Sequence, residues 1–116
     1  MQFDKLTQKA QEACLHGRDR AAHAGHPEVT PEHLLLALLD QEESIVLPLL
    51  ARLGVAVEPL RADLGSELER RPRTQGGAEP GMSSGVARLL EDARKAASQF
   101  KDDYISTEHL LLALAR

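Results

Sequence analysis

The stretch Thr30-Pro31-Glu32-His33-Leu34-Leu35-Leu36-Ala37-Leu38 returns as Ser106-Thr107-Glu108-His109-Leu110-Leu111-Leu112-Ala113-Leu114, offset by 76 residues. The match runs without a gap from Ala10–Leu39 onto Val86–Ala115, and nine of those 30 pairs are identical. Among them are Arg18/Arg94, Ala21/Ala97, Glu32/Glu108 and His33/His109. An internal duplication outranks other local signals in reading a fold, because both copies must be the same structural unit. Duplicated helical units serve mostly as scaffolds and binding surfaces. They seldom carry a catalytic centre in each copy.

The chain has 116 residues, enough for one domain that buries roughly two-thirds of its unfolded surface. Apolar residues make up 42% but aromatics only 3%, so leucine and alanine must fill the core, as in helical bundles. A net charge of −4 gives no basic footprint, so nucleic acid is not an expected partner. No apolar run approaches the roughly 18 residues of a membrane span, and Met1-Gln2-Phe3-Asp4-Lys5 lacks the apolar region of a signal peptide. A single cysteine, Cys14, excludes an internal disulfide and fits a reducing compartment, so a cytoplasmic location is expected.

Helical spacing organises the rest. Asp4 is placed to cap a helix from Lys5 to Ala24, whose small residues Ala10, Ala13, Cys14, Gly17 and Ala21 permit close approach of another helix. Gly25-His26-Pro27 ends it. Thr30-Pro31-Glu32 starts a second helix: a hydroxyl for orphan amides, proline at the first position, a carboxylate at the positive end of the dipole. Its run Leu34–Leu39 is apolar on every side and predicts a buried central helix. Ser44 precedes a third helix, Ile45 to Leu53, and Glu58-Pro59 opens a fourth with Leu60, Leu64 and Leu68 on one stripe. Arg73 to Met82 reads as a mobile Gly/Pro linker. Ser83 or Ser84 starts a fifth helix through Phe100, and Ser106 caps a sixth from Thr107 to Arg116. The expected layout is a first repeat over 1–72, a linker over 73–82 and a second repeat over 83–116. That second repeat lacks counterparts of helices three and four. A full copy needs on the order of 30 more residues if the repeats are equal units.

Little in the sequence points to chemistry. There is no phosphate loop and no dinucleotide-binding glycine turn. Five histidines (His16, His23, His26, His33 and His109) raise metal binding, but the ligand spacing is poor and a second cysteine is lacking. His33 and His109 hold the same place in matching helices, so a shared structural role, bonding a capping group, is the simpler reading. Cys14 aligns with Leu90, which favours a buried, inert thiol over a nucleophile. Glu32 and Glu108 raise paired carboxylates for acid–base work; Glu32 reads instead as a dipole partner at its helix start, and for Glu108 both readings stay open.

The duplicated E-H-L-L-L-A-L unit after a small-residue helix resembles the double Clp-N repeat at the N-terminus of Clp/Hsp100-type AAA+ unfoldases. Phe3-Asp4-Lys5-Leu6-Thr7-x-Lys9-Ala10-Gln11-Glu12-Ala13 is similar to the opening helix of the ClpB disaggregases. So is Pro48-Leu49-Leu50 with Gly54-Val55 and Leu60-Arg61-x2-Leu64-x3-Leu68-x-Arg70-x-Pro72 to their third and fourth helices. The resemblance implies an all-α fold of two pseudo-symmetric repeats, tethered to a hexameric ATPase ring. It implies a non-enzymatic domain that binds unfolded or aggregated polypeptide, or an adaptor, with a DnaK-type chaperone system as a further partner of the whole protein. ATP and magnesium would be bound elsewhere, by the ATPase modules; no cofactor is implied for the domain, and the isolated domain would be a monomer. A substrate groove between the first helix and the second repeat is also implied. Its matching polar rim positions are Thr7, Asp102 and Glu108, with Leu89, Leu90 and Ala96 as candidate apolar lining. Asp92 and Ala96 make that lining weaker than the family pattern. A ClpA/ClpC-like adaptor-docking domain and a stand-alone repeat scaffold are the alternatives.

Overall fold

Thr7 and Ser83 stand 76 residues apart and begin the two long helices in the same way. In the computed structural model, which describes residues 5–74 and 79–115, the Thr7 hydroxyl accepts the Ala10 amide at 3.2 Å and the Ser83 hydroxyl accepts the Val86 amide at 3.1 Å. Each is an N-cap that satisfies one orphan N–H of a first turn. The described elements follow in chain order. They are α1 (Gln8–Ala24), β1 (Glu28–Val29), α2 (Pro31–Asp40), α3 (Val46–Arg52), α4 (Val57–Glu69), β2 (Gly81–Met82), α5 (Ser84–Gln99) and α6 (Thr107–Leu114). The fold is all-α, as expected. Among the described residues no helix is long and apolar enough to cross a membrane.

The first helix begins three residues later than the sequence pattern predicts. Asp4, its expected cap, lies outside the described residues. Lys5–Thr7 is not helical, because its backbone is engaged elsewhere: the Ile105 amide donates to the Lys5 carbonyl at 2.7 Å and the Thr7 amide donates to the Ile105 carbonyl at 2.9 Å. The result is a parallel bridge between Leu6 and Ile105. The second repeat returns the favour. β1 pairs in parallel with β2, with Glu28 opposite Gly81 and Val29 opposite Met82. The Ser83 amide donates to the Val29 carbonyl at 3.1 Å. Leu6 and Met82 are equivalent positions, and so are Val29 and Ile105. The segment leading into the first helix of each repeat therefore pairs with the segment before the second helix of the other.

This crossing also ties down the described ends of the expected linker. The Thr74 amide donates to the Gly25 carbonyl at 2.7 Å, and the Gly81 amide to the Pro27 carbonyl at 3.0 Å. The rest of that expectation falls on residues 75–78, which lie outside the described residues. Gly25 adopts φ 75°, the left-handed conformation that closes α1, and its amide bonds the α1 carbonyls.

The core lies where α1, α2, α5 and α6 meet. Ala10, Ala13 and Cys14 from α1 pack with Leu34, Leu38 and Leu39 from α2, Leu89, Ala93 and Ala97 from α5, and Leu110 and Ala113 from α6. Leu34, Leu38 and Leu110 are fully enclosed. Cys14 is buried and free, and burial pushes its thiol up to about 11, away from nucleophilic use. Val46 and Leu50 of α3 join the core, while α4 leans Leu60 and Leu64 against it and buries Leu68. Asp40 at the end of α2 is bound by Arg20 of α1 and Arg61 of α4, which ties three helices at one carboxylate.

Candidate functional site

The two copies of the E-H-L-L-L-A-L helix differ in what covers them. In α2, Leu36 is 3% exposed and lines a cavity with Gly65 and Leu68 of α4. Its equivalent in α6, Leu112, is 40% exposed. Glu32 is paired with Arg71 at 3.1 Å, whereas among the described residues no cation pairs with Glu108. Among the described residues α4 lies against α2, and no equivalent helix lies against α6.

α6 borders a groove of about 570 Å³. Leu49 of α3, its C-cap Leu53, Leu111 and Leu112 of α6, and Phe100 line it. Asp102, Glu108 and His109 supply its polar rim. Leu53 is 68% exposed and Phe100 65%, so two large apolar side chains face solvent at one place.

The turn between α5 and α6 builds the rim. Phe100 caps α5 and swings out of the helical stripe; Lys101 follows with φ 58° and the Asp102 amide donates back to the Ala97 carbonyl at 2.8 Å. His109 occupies the third position of α6, where the Ser106 amide donates to its Nδ1 at 2.9 Å. That nitrogen must then be bare, so a neutral ring carries its proton on Nε2. Nε2 lies 2.9 Å from an Asp102 carboxylate oxygen and donates to it. The Asp102 side chain is therefore held in place at the rim while remaining exposed. The Phe100 and His109 rings lie 6.4 Å apart at 32°, within the range of aromatic contact.

The first repeat repeats this device with one exchange. His33 takes the Thr30 amide on Nδ1 at 2.9 Å, closing the capping box of α2. Its Nε2 faces Nδ1 of His26 at 2.9 Å, and His26 Nε2 faces the Leu68 carbonyl of α4 at 3.0 Å. The shared capping role read from the duplication is what both histidines perform. Burial, then the neighbouring His26 and Arg71, lower the His33 ring to about 4. Among the described residues no three metal-binding side chains gather.

The resemblance implies a groove between the first helix and the second repeat, whereas this one has no α1 residue in its lining. Of the six positions named from the sequence, Asp102 and Glu108 meet on it. The other four do not line it. Thr7 is half-buried and spends its hydroxyl on the α1 cap. Leu89 and Ala96 are 6% and 3% exposed, so neither offers surface as lining: that face of α5 turns inward onto the core. Leu90 is half-buried and packs against both apolar clusters. The residues that sequence reasoning missed are Phe100, Leu53 and Leu112.

Comparison with known proteins accords with this geometry. The Clp repeat (R) N-terminal domain family matches residues 5–116. The chaperone protein ClpB of Rhodopirellula baltica is 40% identical over 114 residues, which is 98% of this chain and 13% of that protein. The chain therefore spans about one-eighth of that relative's length. Among solved structures, the N-terminal domain of the ClpV1 ATPase from E. coli superposes with a TM-score of 0.86 at 29% identity, over 95% of this chain and 67% of that one. A ClpV N-domain in complex with a VipB peptide gives 0.81 at 27% identity, over 94% and 66%. With the crossed repeats, the duplicated helix and these matches together, the chain belongs to the Clp repeat (R) N-terminal domain family.

Proposed function

We propose that this chain is the substrate-recognising N-domain of a ClpB-type disaggregase, binding unfolded or aggregated polypeptide for delivery to an AAA+ ring. What supports the reading is the rim at the α5–α6 turn, where the Asp102 carboxylate held by His109 shares one groove with Glu108 and the exposed Phe100. A shallow apolar trough with a polar rim suits many sequences weakly rather than one sequence tightly. Single contacts of this kind give micromolar affinity or poorer, about −8 kcal/mol at best. Six copies on a hexamer would restore strength through local concentration. The domain's own part is binding. ATP and magnesium would be used by the ATPase modules, in the cytoplasm, with a DnaK-type system as a further partner.

The experiment is a binding titration with reduced, carboxymethylated α-lactalbumin, which stays unfolded. Phe100→Ser is expected to weaken binding about tenfold and Glu108→Ala by less, with the circular dichroism of both unchanged. Equal binding by the parent and both variants would remove the groove from the account. The second reading, docking of a defined adaptor peptide, draws support from the ClpV N-domain that was solved with a VipB peptide. It predicts saturable binding of one short segment and no binding of the unfolded protein.

A further inference from the structure

Position 26 in the first repeat and position 102 in the second are equivalent, and each faces Nε2 of the duplicated histidine at 2.9 Å. The second repeat has a carboxylate there and the first has a second imidazole. That exchange changes how each pair accommodates a proton.

In the first repeat the hydrogen bonds run in one direction. The Thr30 amide donates to His33 Nδ1, so His33 carries its proton on Nε2 and donates to His26 Nδ1. His26 then carries its own proton on Nε2 and donates to the Leu68 carbonyl. Every ring nitrogen is occupied. A proton added to His26 Nδ1 would set two N–H groups face to face across 2.9 Å. A proton added to His33 Nδ1 would expel the Thr30 amide and break that half of the capping box, leaving the Thr30 hydroxyl at 2.9 Å as its acceptor. Both rings are buried, at 5% and 1% exposure, so an added charge has little water to solvate it.

The surroundings do not offset that charge. Arg20 from α1 and Arg71 beyond α4 are cations, and Glu32 of α2 is already paired with Arg71 at 3.1 Å. An adjoining cavity of about 480 Å³ brings His23, Arg73 and Glu69 to the same place, two more basic side chains against one acid, and gives protons a way in. In the second repeat the same step is benign. A proton on His109 would cost its bond from Ser106 but leave an ion pair with Asp102, which is exposed.

His26 is also the knot of its region. Its amide bonds the Ala21 carbonyl at the end of α1. The carbonyls of its neighbours Gly25 and Pro27 hold the Thr74 and Gly81 amides. We propose that the His26–His33 pair is an acid-sensitive latch: on taking up a proton it releases the end of α4 and the 79–83 segment from the turn at Gly25–Pro27. The Asp102–His109 pair keeps the second repeat shut under the same conditions. The lowered affinity of His33 for a proton fits a latch that stays closed at neutral pH and opens in acid.

Hydrogen exchange of this chain between pH 7 and pH 4 tests the latch, with rates corrected for the intrinsic pH effect. Protection factors of the Leu68-to-Arg71 amides and of Gly81 and Ser83 are expected to fall at least about tenfold, while those of Ser106 to Leu110 hold. His26→Gln keeps an acceptor and a donor without titrating, and is expected to abolish the fall. His33→Gln does the same while preserving the capping box. If a variant fails to fold, the parent's own comparison of the two repeats decides. Parallel loss in both repeats, or first loss around His109, overturns the proposal.

Discussion

At the residue scale the duplicated histidine explains more of this molecule than any other side chain. His33 lies at 1% exposure, with its proton affinity lowered to about 4 from an ordinary 6.5. Because the folded value is the lower one, unfolding takes up a proton. The stability contributed by the neutral ring is complete above pH 6.5, declines as pH falls toward 4, and is lost below that. The expected loss at pH 4 is on the order of 3 kcal/mol, readable as a lower urea midpoint, and it should vanish in His33→Gln. An identical pH slope in that variant would contradict this assignment. The N-caps make a second residue-scale prediction. Thr7→Ala and Ser83→Ala should each cost about 1 kcal/mol of stability by urea denaturation, because each removes an amide acceptor from a first turn. A Thr7 variant that lost peptide binding while keeping full stability would restore Thr7 to the site. The capping role of His33 and His109 was legible because the same residue recurred at the same helix position. The burial of Leu89 and Ala96 was not: helical spacing marks an apolar stripe but cannot tell a core from a groove floor. Phe100 misled for a local reason, since it ends the stripe of α5 in sequence but leaves the helix at its C-cap.

Among elements, the helices were legible and the pairing between repeats was not. A two-residue strand has no period to read, so β1 and β2 left no trace in the pattern, and Lys5–Thr7 looked like the start of a helix. Yet these short pairings lock the copies together: Ile105 holds the chain at Lys5 and Thr7, and Val29 holds it at Met82 and Ser83. Ile105→Pro removes the amide that donates to the Lys5 carbonyl at 2.7 Å. It should cost about 1–3 kcal/mol and raise hydrogen exchange around Leu6 before it affects α2. Unchanged stability would mean that the crossing is decorative. The central helix tells the complementary story. Leu34→Ala in α2 should cost about 2–5 kcal/mol in thermal or urea unfolding, whereas Leu112→Ala in α6 should cost under 1, because Leu34 is 2% exposed and Leu112 is 40% exposed. Equal costs would contradict the difference in burial between these two leucines.

Over the whole molecule, one sequence unit is used twice with different finish. In the first repeat α4 packs on the leucine helix, Arg71 pairs with Glu32, and the histidine pair is buried. In the second an aspartate takes the place of the inner histidine, and the turn that carries it turns Phe100 outward. The duplication seen first in the sequence is thus a scaffold from which the two copies depart, and the departures mark where binding is proposed. The most direct test is amide chemical-shift mapping of isotope-labelled protein titrated with reduced, carboxymethylated α-lactalbumin. The account predicts that the perturbed amides cluster at Leu53, Phe100–Asp102 and Glu108–Leu112, leaving the Arg20–His23–Arg73 cavity of the first repeat unmoved. Perturbation centred on that cavity, or none at saturating unfolded protein, would contradict it.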